Sequence, residues 1–256
     1  MNNTAILFLT YNDEADENIL MQAINKSSFV NNACVFKAGT NKVQRLFRKF
    51  SVQTEQPFIS HWLSDTWFNR IEEYKIIVVT ASQYTPHLLH WIHKRYPRIR
   101  LINYYWDQIH VSRYPVEQSS DFENWSFNED DCQKYSMKYN PQIYSKFIDV
   151  RNDNCEYEAS FIGADREGLW PERIETVNHL YSIMSLANMK VFFYLVTDSK
   201  NAHEDIRHKE RLSEREYLNI VRKSKAIVDV SEWLTLRPLL ALTNGKKVIT
   251  NYRVVL

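Results

Sequence analysis

Two stretches of this 256-residue chain join strand-like hydrophobicity to polar residues that can hold an anion. Residues 161–168 read FIGADREG: an apolar strand ends, Gly163 lets the backbone turn, and Arg166 follows before a helix. Loop amides and a helix N-terminus favour negative charge, and a guanidinium hydrogen-bonds phosphate oxygens. The same spacing equally fits an ordinary strand-to-helix turn with Arg166 in solvent. Residues 226–237, AIVDVSEWLTLR, repeat the arrangement, with Ser231, Glu232, Thr235 and Arg237 delivered at a strand's C-terminal end. These side chains could meet a nucleotide ribose or diphosphate; Arg237 could instead cap the neighbouring loop. Both stretches fall on the same edge of one expected sheet.

Proton chemistry has two candidates in the segment YYWDQIH, residues 104–110. Asp107 follows a strand and could act as a general base, and His110 could do so with a pKa nearer neutrality. Asp107 also reads as a turn or cap residue. His87, His90 and His93 lie close in sequence, but the H-E-x-x-H pattern is absent, and no metal site is expected. No two aspartates stand two apart, so the Asp-x-Asp pair that holds a divalent ion on a diphosphate is missing. Four glycines cannot write a dinucleotide or Walker loop, and neither a G-x-S-x-G elbow nor a kinase signature set occurs.

The elements that must position these residues alternate. Ala5–Thr10, Asn31–Phe36, Lys75–Thr80 and Arg100–Tyr105 read as strands, the first as a continuous apolar run. Asp16–Ile24, Asn41–Phe50 and His87–Arg95 read as helices. Lys42, Arg45, Arg48 and Lys49 give the second of these a basic face, either solvated or set against a phosphate or lipid headgroup. Residues 111–131 are polar with few regular signals, and a polar cluster at Asp149–Asn154 marks the expected domain boundary. Alternation then restarts: strands at Glu158–Ile162, Lys190–Val196, Lys225–Val230 and Lys247–Thr250; helices at Glu172–Leu186, Ser213–Arg222 and Thr235–Leu242. Residues 163–171 read as a loop, Ser213 and Glu216 form a capping box, and Gly245 suits a helix stop. The expected fold is α/β, with two Rossmann-like parallel-sheet units, 1–150 and 151–256, facing a cleft.

Composition narrows the partners. The 44% apolar share supports a core, and 32 basic against 31 acidic residues give no electrostatic case for nucleic acid. Fifteen tyrosines and seven tryptophans suit core filling, or stacking on sugars and bases. Cys34, Cys132 and Cys155 are odd in number and widely spaced, which fits a reducing, cytoplasmic compartment. No apolar run reaches the length of a membrane span.

The segments NYYWDQI, YEASFIGADR, LSEREYLNIVRKSKAIVDV and LTLRPLLALTNGKKVIT resemble bacterial proteins of lipopolysaccharide and capsular polysaccharide synthesis, which are similar to glycosyltransferases of the two-Rossmann GT-B architecture. The resemblance runs from about Lys75 to Asn251 and is strongest from Leu212 to Thr250. It implies transfer of a sugar from a nucleotide-sugar donor to a glycan or lipid-linked acceptor, with the donor in the C-terminal half and no metal or other cofactor. Peripheral contact with the inner face of the cytoplasmic membrane would follow from a lipid-linked acceptor. Gly163 and Arg166 match the family's strand-loop position, and Thr235 and Arg237 its later donor-side loop and helix. Three departures fall on the donor side. Ser231–Trp233 replaces a glycine-containing loop, Leu240 stands where the family places a ribose-binding glutamate, and the chain stops at Leu256, short of a closing helix. These departures imply an alternative: a truncated, non-catalytic binding or scaffold protein on the same fold.

Overall fold

The computed structural model describes residues 5–11, 24, 29–141, 148–152, 154–165, 171–231 and 236–250. The chain divides into two compact units, Met1–Pro141 and Gln142–Leu256, each with its own parallel sheet. The division falls ahead of the polar cluster at Asp149–Asn154.

In the first unit, β1 (Ile6–Thr10), β2 (Val30–Cys34), β3 (Ile76–Thr80), β4 (Arg100–Tyr105), β5 (Glu123–Ser126) and β6 (Lys138–Tyr139) form a six-stranded sheet in the order β2-β1-β3-β4-β5-β6. Every pairing is parallel. The order reverses between β1 and β3, which makes the C-terminal ends of those strands the switch point where open α/β sheets bind ligands. Helix α1 (Lys42–Gln53) starts at Asn41, whose side chain accepts from the Gln44 amide while Gln44 Oε1 accepts from the Asn41 amide. Short α2 (Asp65–Phe68) carries Trp67, whose indole N–H donates to the Cys34 and Val35 carbonyls at the end of β2. Helix α3 (Thr85–Arg95) crosses from β3 to β4 with Leu88, Leu89, Trp91 and Ile92 buried. These side chains join Leu7, Leu9, Ile77 and Val79 in the core. The expected helix Asp16–Ile24 lies outside the described residues except for Ile24, which is helical and buried.

Residues 111–131 are more regular than their composition suggests. A turn of helix, α4 (Ile109–Ser112), leads to β5, and α5 (Glu129–Tyr135) begins at Asn128, which accepts from the Asp131 amide at 2.8 Å.

The second unit holds β7 (Tyr157–Ala164), β8 (Val191–Val196), β9 (Arg207–His208), β10 (Ser224–Asp229) and β11 (Lys247–Thr250), in the order β11-β10-β7-β8-β9 and again all parallel. Its switch point lies between β7 and β10. Helices α6 (Pro171–Leu186), α7 (Glu214–Arg222) and α8 (Leu236–Thr243) supply the crossovers. Ser213 caps α7 through the expected box with Glu216, and Gly245 takes the left-handed conformation (φ 71°) after α8. Phe161, Val177, Phe193, Leu195 and Val228 lie in the core of this unit. Among the described residues, no helix is long and apolar enough to cross a membrane.

Candidate functional site

Strands β7 and β10 lie side by side, with Ala159 opposite Ala226 and Ser160 opposite Ile227. Their C-terminal ends are joined by a residue that the sequence reading did not single out. Arg173, buried in the first turn of α6, donates from Nη1 to the Ala164 carbonyl at 2.8 Å and from Nε to the Val230 carbonyl at 3.0 Å. One guanidinium thereby satisfies carbonyls at two strand ends across the switch point, where an unpaired buried carbonyl would cost ~1–3 kcal/mol. Helices α6 and α8 begin close by in sequence, at Pro171 and Leu236.

Beside this bridge sits a buried carboxylate. Asp229, the last residue of β10, accepts from Ser231 Oγ at 2.7 Å on Oδ2 and from Arg237 Nη1 at 2.9 Å on Oδ1. The Arg237 side chain, at the start of α8, remains 26% exposed, against 1% for the acid that anchors it. Burial of its hydroxyl raises the pKa of Tyr217 on α7, with the Arg237 charge pulling it down and Asp229 pushing it up.

The predicted donor residues therefore divide. Ser231 and Arg237 meet on Asp229, an acid that the sequence placed only as part of a strand. Arg237 pairs with this acid across its own strand-helix connection. Gly163 continues β7, and its φ is not positive. A Cβ there would sit 2.7 Å from Phe161 Cζ, so the glycine makes room for a neighbouring ring where the sequence suggested a turn. Arg166, Glu232 and Thr235 lie outside the described residues. Leu240 is 4% exposed and faces the interior.

In the first unit, Asp107 follows β4 and is half-buried, while His110 is exposed on α4. The amide at the start of that turn, on Ile109, donates to Asp131 Oδ2 at 3.0 Å. At the β1/β3 switch point a cavity of ≈ 260 Å³ is lined by Tyr11, Arg48, Lys49, Ser82 and Tyr84 among others. Thr85 Oγ1 donates to the Tyr11 hydroxyl at 3.1 Å, and burial pushes that phenol up to about 12. Arg48 lies over the Phe36 ring at 4.3 Å, a cation–π contact. The cavity thus combines cations, aromatic faces and hydroxyls.

Two of the three histidines share an ion-pair cluster, while His87 pairs separately with Glu55 at 3.8 Å. His90 Nδ1 lies 2.7 Å from Asp121 Oδ2 and its Nε2 2.6 Å from Glu117 Oε1, while His93 Nε2 stands 3.7 Å from Asp121. Partial burial pulls the His90 pKa down, but the two carboxylates outweigh it and hold it above its usual value. Among the described residues, no group of three or more histidine, cysteine or acidic side chains could hold a metal ion.

No protein-family model and no curated protein matches the sequence. Among solved structures, one described as the S. aureus MnaA–UDP co-structure aligns with 95% of this chain and 78% of that chain, at 12% identity and a TM-score of 0.47. A likeness that loose carries no function across.

Proposed function

We propose that this protein is a nucleotide-sugar-dependent glycosyltransferase of surface polysaccharide assembly, holding its donor in the second unit and its acceptor in the first. The observation that carries the reading is the β7/β10 switch point. There an arginine anchored on a buried aspartate emerges beside two helix starts, in the segments that resemble polysaccharide-synthesis proteins. Arg237, with Arg166 from the preceding connection, would neutralise the departing diphosphate together with the helix N-termini, and no metal would be needed. Ser231, Glu232, Thr235 and the Gly163 region would complete the donor site. Asp107 or His110 would take the acceptor proton. The cavity at the β1/β3 switch point suits an acceptor that bears a phosphate or carboxylate on a sugar ring.

The test is thermal stabilisation of the full chain by UDP-, GDP-, CMP- and dTDP-sugars, with Arg166→Ala and Arg237→Ala alongside. Stabilisation by one nucleotide, lost in both variants, supports the donor site and names its base. A cooperatively melting chain that responds to none of them overturns it. One observation favours a second reading, a non-catalytic binding protein: buried Leu240 leaves no carboxylate at the position where the family grips the ribose. Nucleotide binding without transfer, unaffected by Asp107→Asn or His110→Gln, would select that reading.

A further inference from the structure

Helix α1 turns its apolar side outward. Val43 is 62% exposed, Leu46 68%, Phe47 61% and Phe50 57%. Spaced i, i+3, i+4 and i+7, they form one stripe along the helix. The helix is held to its unit elsewhere, through buried Ser51 and Val52. Twelve large hydrophobic side chains are exposed among the described residues, and four of them share this one helix, so the stripe is not the scatter found on any surface. Its charge is equally one-sided. Lys42, Arg45, Arg48 and Lys49 lie within Lys42–Gln53, and no acidic residue does. Lys42, Arg45 and Lys49 are exposed and fall on one flank of the stripe.

We infer that α1 docks this protein on a membrane surface rich in anionic lipid, lying in the interface with Val43, Leu46, Phe47 and Phe50 among the acyl chains and the cations at the phosphates. Charge complementarity selects this occupant. A protein groove would bury the stripe and leave the cations needing acids of matching position. An anionic bilayer supplies negative charge all along the flank and an apolar layer beneath it. A cation near such a surface contributes through the surface potential, which salt screens, while the apolar stripe supplies the part that salt leaves intact. The inference holds whether or not the protein transfers sugars.

The experiment is co-sedimentation of the full chain with vesicles of phosphatidylcholine alone, and of phosphatidylcholine with phosphatidylglycerol, at low and high salt. Binding to the anionic vesicles is expected, weakened by salt, with far weaker binding to phosphatidylcholine. Lys42→Ala with Arg45→Ala should weaken binding to the anionic vesicles by roughly twenty-five-fold, about fivefold per cation. Leu46→Glu with Phe47→Glu should abolish it while leaving the melting temperature of the chain unchanged, because both side chains are exposed. Equal binding to neutral vesicles, or full binding by the Leu46→Glu, Phe47→Glu variant, overturns the inference. So does a chain that ignores both vesicles yet dimerises in the ultracentrifuge and is dispersed by that variant, which would make the occupant a second copy.

Discussion

Replacing Gly163 with alanine tests whether this glycine serves packing or ligand access. The added Cβ would lie 2.7 Å from Phe161 Cζ and 3.2 Å from Cε1, against ordinary carbon contacts of roughly 3.5–4.0 Å. Phe161 is fully buried, and its ring packs on Phe193 with centroids 5.9 Å apart, so it has little room to swing away. An extra carbon forced into a packed core costs about 1–3 kcal/mol. The smaller unfolded-state entropy of alanine returns ~0.4–1 kcal/mol, because the native φ is one that alanine can adopt. The net loss is about 1–2 kcal/mol, on the order of tenfold faster opening of β7. Amide hydrogen exchange of peptides spanning Tyr157–Ala164 reads this directly, without assuming that the two units unfold together. Phe161→Leu removes the obstructing ring edge. In that background Gly163→Ala should cost nothing, giving a coupling of about 1 kcal/mol or more. An equal cost in both backgrounds, or no cost in either, refutes the packing argument. Nucleotide affinity lost in both backgrounds, with β7 undisturbed, would return Gly163 to ligand approach.

Three further outcomes follow from the same geometry. Arg173→Lys should destabilise the second unit by about 2–3 kcal/mol, measured by urea unfolding, because an ammonium cannot reproduce the fork that spans the Ala164 and Val230 carbonyls. Leu240→Glu should lower the melting temperature more at pH 8 than at pH 5, because a carboxyl buried there is tolerated only when protonated. The first unit should lose stability at both ends of the pH scale, followed as melting temperature against pH. His90 is raised in the folded state, so its contribution is complete below its unfolded value of 6.5 and is lost as pH rises through the higher folded one; His90→Gln removes that slope. Glu123 is lowered to about 2, by hydrogen bonding to Arg100 first. Its contribution is present above the unfolded value of 4.5 and is lost as pH falls toward 2, and Glu123→Gln removes it.

What could be read in the sequence follows from where each element is buried. Strands β1, β3 and β10 lie inside parallel sheets and show as apolar runs, and α7 announces itself through Ser213 and Glu216. Strand β5 does not, because its sequence is Glu-Asn-Trp-Ser. Asn124 is buried there and accepts from Asn103 Nδ2 of β4 at 2.9 Å, so a polar pair stands where the pattern looks for aliphatic side chains. The acid-rich α5 offers no apolar period and depends on the Asn128 cap. At the candidate site, Ser231 and Arg237 were visible as polar residues after a strand. Asp229 was hidden because it completes an apolar run, and Arg173 because its two carbonyl partners, on Ala164 and Val230, lie at the ends of strands whose adjacency no local pattern encodes.

The pairing of Arg237 with Asp229 bears on what the site can recognise. A lone arginine on the first turn of a helix would carry ~2 kcal/mol of rotamer entropy that an arriving anion would have to overcome. Anchoring on a buried carboxylate moves that cost into folding, so the guanidinium would meet an arriving anion already placed. The same anchor offsets its charge, and the chain as a whole carries only +1, so long-range attraction contributes little. A diphosphate at this edge would be selected by the positions of its donors more than by field strength. Binding built that way should vary weakly with salt and strongly with any change that lets Arg237 move.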